Sequence, residues 1–215
     1  MSAIIRLSFC FAQSLIEKEE ELISKLPFGA DEQNRLRNIK NSASRLESLA
    51  ALIALNNILP PALENTEIVR SKNGKPSFSS APLFFSLSHS NGLAFAALSD
   101  EPIGLDLEFI DSSRAFLKIA ERFFSTEEYE KIANSSRQDF DFFSLWTKYE
   151  AMAKMSGRGL SEICSSPLSS SLFFKQFELK NGGDTAILSI CTKNSFECPE
   201  IYDPYKELIF YELQN

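Results

Sequence analysis

The stretch Ile103-Gly104-Leu105-Asp106-Leu107-Glu108-Phe109 constrains this chain more than any other. It alternates at period two, and a strand sends alternate side chains to opposite faces. Leu105, Leu107 and Phe109 therefore share one face, and Asp106 and Glu108 share the other. A strand that is apolar on one side must bury that side against a second layer. Two carboxylates side by side on the other face repel each other unless a cation or a donor sits between them. Oxygen-only ligation suits Mg²⁺, which takes one or two carboxylates together with phosphate oxygens and waters. A solvated strand face accounts for the same pattern, and this segment alone does not choose.

The flanking pattern mixes helices with short strands. Strands are predicted over Ser2–Phe11, Ile68–Arg70, Phe84–Ser88 and Leu93–Ser99, with a last one near Leu208–Leu213. A hairpin is predicted from Phe173–Leu179 and Thr185–Cys191 around Asn181-Gly182-Gly183. Asn91-Gly92 favours positive φ and makes the turn after Phe84–Ser88 a tight one. Helices are predicted over Glu17–Leu26, over Asp31–Leu59 as one or two segments, over Ala115–Arg122 and over Asp139–Met155. Ser125 followed by acids reads as an N-cap, Gly157 as a helix stop, and Ser165–Ser171 as a loop. Such a mixture suits an α/β or α+β domain of two similar halves. The paired phenylalanines at 84–85, 123–124, 142–143 and 173–174 read as packing residues.

Composition removes several function classes. The 215 residues carry a net charge of −7, whereas a protein that neutralises nucleic-acid phosphates is normally basic. The excess acid is uneven: residues 1–105 hold 10 basic and 11 acidic side chains, residues 106–215 hold 12 and 18. Gln33–Leu46 contains Arg35, Arg37, Lys40 and Arg45 and no acid, which leaves a positive surface in the first half. A single histidine, His89, excludes multi-histidine metal sites. The four cysteines form no C-x-x-C pair and read as scattered thiols of a reducing compartment. With no signal-peptide pattern and no apolar run long enough to span a bilayer, a cytoplasmic protein with no membrane partner is expected.

Three further segments could carry chemistry. In Trp146-Thr147-Lys148-Tyr149-Glu150-Ala151-Met152-Ala153-Lys154, Glu150 and Lys154 lie one helical turn apart on one face. They form either a surface ion pair or a carboxylate for a metal beside an ammonium for a phosphate. Gly74-Lys75-Pro76 offers one cation on a turn, without the P-loop pattern. Ser88-His89-Ser90 ends a strand and lacks the Gly-x-Ser-x-Gly elbow of a serine hydrolase, but serine and histidine can both donate to phosphate.

Taken in this order, the segments resemble the 4′-phosphopantetheinyl transferase superfamily, in its larger single-chain, surfactin-synthetase-activating type. The resemblance runs over about residues 72–160: Gly74-Lys75-Pro76, Phe85–Ser90, Gly104-Leu105-Asp106-Leu107-Glu108, Arg122-Phe123-Phe124-Ser125, Trp146–Lys154 and Gly157-Arg158-Gly159-Leu160. The G-x-D-x-E and W-T-x-x-E-A-x-x-K elements are the specific ones.

The resemblance implies a pseudo-twofold pair of α/β halves, 1–105 and 106–215, with coenzyme A in the cleft between them. It implies a monomer that moves the phosphopantetheine arm of coenzyme A onto a serine of an apo acyl carrier protein or other carrier domain, releasing adenosine 3′,5′-bisphosphate. Fatty-acid carrier protein is the default acceptor. Asp106, Glu108 and Glu150 would hold Mg²⁺, with Mn²⁺ as the alternative. Glu150 would also take the serine proton, and Lys154 would contact the pyrophosphate. Lys75, Ser88 and His89 would meet the coenzyme A phosphates, Pro76 would shape the adenine end, and Arg45 would meet the 3′-phosphate, with Arg37 and Lys40 as alternatives. One position departs from the family: Tyr149 stands where a lysine usually precedes the glutamate, and Lys148 lies about 100° away around the helix. That departure motivates the alternative of a non-catalytic module that binds coenzyme A or a carrier.

Overall fold

The computed structural model describes residues 2–164, 171–181, 183–203 and 208–213. Most of the predicted Ser165–Ser171 loop, and Gly182 of the hairpin turn, lie outside the described residues. The chain is α+β. It opens with β1 (Ile5–Phe11), α1 (Glu19–Lys25), α2 (Ala30–Asn38) and α3 (Ser42–Asn57), followed by β2 (Ile68–Arg70), β3 (Pro76–Phe78), β4 (Phe84–Ser90), β5 (Leu93–Ser99) and β6 (Ile103–Phe109). Then come α4 (Phe116–Phe123), α5 (Thr126–Ala133), α6 (Gln138–Ser156), α7 (Leu160–Ile163), β7 (Phe173–Asn181), β8 (Asp184–Thr192), β9 (Glu200–Tyr202) and β10 (Ile209–Glu212).

The long Asp31–Leu59 pattern resolves into α2 and α3. Ile39 leaves the helical region, and Asn41 restarts it by accepting the Ser44 N–H on its side-chain oxygen at 2.9 Å. The Glu17–Leu26 segment begins as a 3₁₀ stretch over Ala12–Lys18 before α1. Ser125 forms a full capping box with Glu128 at the start of α5. Gly157 closes α6 in the left-handed conformation at φ 73°.

Two four-stranded sheets run β4-β5-β1-β9 and β10-β7-β8-β6. All pairings within them are antiparallel except β1 with β9. Their inner faces share an apolar core that includes Leu7, Phe9, Phe95, Leu105, Leu107, Phe177 and Leu188. A second core joins the first sheet to α1–α3, and a third joins the second sheet to α4–α7. The period-two pattern of β6 thus places Leu105 and Leu107 between the sheets and turns Asp106 and Glu108 the other way. Of the paired phenylalanines, Phe85, Phe124, Phe142 and Phe143 are buried, whereas Phe84 and Phe173 are exposed, since neighbours on a strand point to opposite faces.

Helix α6 is enclosed rather than amphipathic, with Phe142, Phe143, Trp146, Thr147, Tyr149, Ala151, Met152, Ala153 and Met155 all buried. It runs so close to β6 that a Cβ on Gly104 would lie 1.8 Å from the Ala151 carbonyl oxygen. Only glycine permits that approach, and the approach brings the carboxylates of β6 beside Glu150 of α6.

Candidate active site

Strands β4 and β6 are edge strands of different sheets, and a ladder of serine hydroxyls joins them. Ser86, Ser88 and Ser90 alternate along β4, so their side chains share a face. Their Oγ atoms accept the backbone N–H groups of Leu105, Leu107 and Phe109 at 3.0, 3.1 and 3.5 Å. These hydroxyls occupy the edge of β6 that a further strand would otherwise pair with.

Ser88 does more than hold the seam. Its hydroxyl also donates to Asp106 Oδ1 at 3.0 Å and accepts from Lys154 Nζ at 2.9 Å. Lys154 Nζ lies 2.7 Å from the same Asp106 oxygen and 3.3 Å from the Leu87 carbonyl. Asp106 is only 4% exposed, and its second oxygen, Oδ2, is buried without a hydrogen-bond partner. Such an orphaned acceptor is costly unless something else satisfies it.

Two further carboxylates crowd Asp106. Burial, together with the Asp106 charge, pushes Glu108 above the usual carboxylate range, although Ser90 Oγ at 3.4 Å and Arg114 at 3.9 Å help to offset this. Burial pushes Glu150 up to about 7, with Asp106 and Glu108 adding to the rise and Lys154 and Arg114 opposing it. Among the described residues, however, no three acidic, histidine or cysteine side chains stand close enough to form a ready-made cage. One ammonium, Lys154, partly neutralises the group.

Glu150 and Lys154 open onto a cavity of about 720 Å³. Its wall includes Arg35, Arg70, Lys75, Lys154 and Arg158 against the single acid Glu150, so it is strongly positive although the whole chain is negative. His89 and Pro76 also line it. Lys75 donates to the Met155 carbonyl at 2.6 Å near the end of α6, and burial draws its ammonium below the usual lysine value. Glu32, 3% exposed, receives Arg35 Nε at 2.8 Å and Arg70 Nη2 at 2.7 Å, which fixes both guanidinium groups at the wall.

Residues 102–205 match the profile of the 4′-phosphopantetheinyl transferase superfamily. The transferase psf-1 of Bacillus pumilus is 43% identical over 97 residues, which is 44% of this chain and 41% of that protein. AcpT of Salmonella typhi is 35% identical over 158 residues, covering 71% of this chain and 79% of the relative. The chain belongs to the 4′-phosphopantetheinyl transferase superfamily. A further relative, gsp of Aneurinibacillus migulanus, is 36% identical over 131 residues, but the match spans only 53% of its length.

Against the phosphopantetheinyl transferase pattern, the structure brings Asp106, Glu108, Glu150, Lys154 and Ser88 together, and sets Lys75, Pro76 and His89 along the same cavity. Two expectations need correction. Arg45 does not line the cavity: its guanidinium is held by Glu19 and by the Ile39 carbonyl, beside a separate pocket that Glu20 and Arg37 also line. Its alternatives fare no better, since Arg37 pairs with Glu20 and neither it nor Lys40 lines the wall. Ser88 does not line the cavity either, because its hydroxyl is engaged by Asp106, Lys154 and Leu107.

Of the wall arginines, Arg35 was flagged by the acid-free Gln33–Leu46 stretch and Arg158 by the Gly157-Arg158-Gly159-Leu160 segment, without a site role for either, and Arg70 was missed because nothing in the sequence marks it. Tyr149, the departure from the transferase pattern, is 1% exposed, stacks on Phe124 and donates to Glu128 Oε1 at 2.9 Å. Burial lowers the Lys148 ammonium. The thiols of Cys191 and Cys164 are pushed up to about 12 and 11, chiefly by burial, so neither is poised as a nucleophile.

Proposed function

We propose that this protein transfers the 4′-phosphopantetheine arm of coenzyme A to a serine of an apo acyl carrier protein or other carrier domain. The observation that carries the reading is the positive cavity whose one acid, Glu150, is raised to about 7 by burial with Asp106 and Glu108 behind it. A pyrophosphate suits the cavity, and a divalent cation suits the carboxylates. The fit to Mg²⁺ rests on the orphaned, buried Asp106 Oδ2 and on the oxygen-only donor set of Asp106, Glu108 and Glu150. When bound there, Mg²⁺ would stabilise the charge that develops on the pyrophosphate as its bond breaks.

This chain's own residues do the rest. Lys154 leans on the pyrophosphate from one turn below Glu150. Lys75 and His89 meet the coenzyme A phosphates, and Pro76 shapes the adenine end. Arg35 and Arg70, rather than Arg45, supply the arginine contact. The carrier serine Oγ forms a bond to the phosphorus next to the pantetheine. The P–O bond to adenosine 3′,5′-bisphosphate breaks, and its electron pair leaves with that product. Glu150, held near neutrality, takes the serine proton directly or through water. Ser88 positions Asp106 and Lys154 rather than touching phosphate.

The two sheets, each with its long helix, support a pseudo-twofold pair of halves with coenzyme A in the cleft between them; the expected boundary at 105/106 would cut β6, which belongs wholly to the second sheet, and β9 of the second half pairs with β1 of the first. A cytoplasmic monomer acting on fatty-acid carrier protein completes the reading; the thiols of Cys10, Cys164, Cys191 and Cys198 suit a reducing compartment. No helix among the described residues is long and apolar enough to cross a membrane. The burial of Tyr149 accounts for the departure that motivated a binding-only module.

The test is to incubate the protein with coenzyme A, Mg²⁺ and a panel of apo carriers and to weigh the carriers. A phosphopantetheine mass gain that needs Mg²⁺ and is lost in Asp106→Ala is expected. Binding of coenzyme A without any mass gain would favour the binding-only module.

A further inference from the structure

His89 has a partner that the transfer reaction itself does not require. Glu47 lies on α3, with its side chain 18% exposed, and both of its oxygens are engaged. Oε1 accepts the Gly92 N–H at 2.8 Å, in the turn between β4 and β5. Oε2 lies 3.1 Å from His89 Nδ1. A carboxylate can only accept, so the Nδ1 facing it carries the hydrogen. A neutral imidazole has one N–H, and its other nitrogen is then a bare acceptor. His89 lines the cavity and Glu47 does not, so the ring edge opposite Glu47, with Nε2, is the one presented to a ligand.

We propose that Glu47 is a positioning residue that fixes the hydrogen of His89 on Nδ1, so that the imidazole must take up a proton at Nε2 when a phosphate group docks. The inference rests on reading His89 as a contact for the coenzyme A phosphates. A bare Nε2 and a phosphate oxygen are both acceptors and cannot bond. Adding one proton from solvent gives an imidazolium bridging two anions, with Nδ1–H on Glu47 and Nε2–H on the phosphate. The charged groups around the ring fit this. Burial holds the free imidazole below its ordinary value, helped by Lys154 from α6 and Arg35 from α2, while Glu47 from α3 pulls it upward. The free site is therefore neutral at physiological pH, and an arriving phosphate adds the second anion that favours the cation.

The substitution Glu47→Gln separates this role from a purely structural one. The glutamine oxygen must still face the Gly92 N–H, which turns its NH₂ toward Nδ1. That donor forces the neutral ring to place its hydrogen on Nε2 instead. The variant keeps the hairpin contact but reverses the tautomer.

The chain has one histidine, so ¹⁵N-histidine labelling of the full-length protein gives one imidazole to follow. In the free wild type, Nδ1–H is expected at neutral pH. Saturation with adenosine 3′,5′-bisphosphate should protonate both nitrogens, and its affinity between pH 7 and 9 should weaken toward tenfold per pH unit. Glu47→Gln should show Nε2–H when free and a flattened pH dependence. An Nε2–H tautomer in the free wild type overturns the positioning role even if the nucleotide perturbs His89, and that result needs no variant to fold. A correctly placed Nδ1–H with no response to saturating nucleotide overturns the proton uptake and points to failure of the phosphate-contact reading instead.

Discussion

Replacing Glu150 by glutamine should make the metal-free protein more stable while abolishing transfer. The carboxyl is held at about 7 against an ordinary 4.5. Its folded pKa lies above its unfolded one, so the ionised form works against the fold. The cost is absent below pH 4.5, grows between 4.5 and 7, and is constant above 7. At about 1.4 kcal/mol per pH unit the full shift corresponds to about 3.4 kcal/mol. Glu150 is partly solvated at the cavity wall, and screening reduces this to about 1–2 kcal/mol. For a chain of this size, that is a rise in melting temperature of about 2–8 °C. The assay is thermal unfolding of wild type and Glu150→Gln in chelator, at pH 5 and pH 8. The variant should gain at pH 8 and gain far less at pH 5. Adding Mg²⁺ should raise the wild type and move the variant less, because the wild type alone keeps all three carboxylates. A variant no more stable than wild type at pH 8, or an equal gain at both pH values, would refute the claim that Glu150 is held near neutrality by burial and its neighbours.

Gly104→Ala should be severely destabilising, by about 3 kcal/mol or more, because its Cβ would meet backbone rather than a flexible side chain; soluble yield and melting temperature check it, and a near-wild-type protein would mean that α6 can move off β6. Ser88→Ala should cost about 1–3 kcal/mol by orphaning the Leu107 N–H, and should lower kcat more than it raises the KM for coenzyme A, since it disturbs Asp106 and Lys154; steady-state kinetics with an unfolding curve read both. Tyr149→Phe should lose about 1 kcal/mol of stability with the Glu128 contact and leave turnover largely intact, a loss of most activity being the result that would make Tyr149 more than a core residue. Arg35→Ala and Arg70→Ala should each raise the KM for coenzyme A at least several-fold, whereas Arg45→Ala should leave it near wild type.

What could be read from the residues, and what could not, follows the range of the interactions involved. The carboxylates of β6 were legible because period two is local: Asp106 and Glu108 share a face whatever the rest of the chain does. The bounds of β6, and of β5 with its Asn-Gly turn, are those the pattern predicts. Strand β9 was missed because three residues, Glu-Ile-Tyr, carry no period; it exists by pairing in parallel with β1, nearly two hundred residues away in the chain. The same limit explains Arg45. It stands in a basic stretch that looks free to meet a phosphate, but Glu19, on a helix the sequence does place, reaches it across the fold. Conversely, Arg70 sits on a short strand with nothing to distinguish it, and becomes part of the wall only because Glu32 is buried between it and Arg35.

The serine pattern of β4 shows how a local signal can be present and still be assigned the wrong task. Ser86, Ser88 and Ser90 alternate as plainly as Asp106 and Glu108 do, and Ser88 beside His89 invites a phosphate. The structure instead places all three hydroxyls on the N–H groups of β6. An edge strand with unpaired donors is a demand that no residue in β6 announces. Satisfying it with side chains rather than with another strand leaves the two sheets joined at their edges but not fused. That seam is what sets Lys154 and Ser88 on Asp106, so the residues that hold the sheets together are also the ones that aim the carboxylate. A change anywhere along the ladder should therefore appear in turnover as well as in stability, and the coupling should be strongest at Ser88, the rung that touches both.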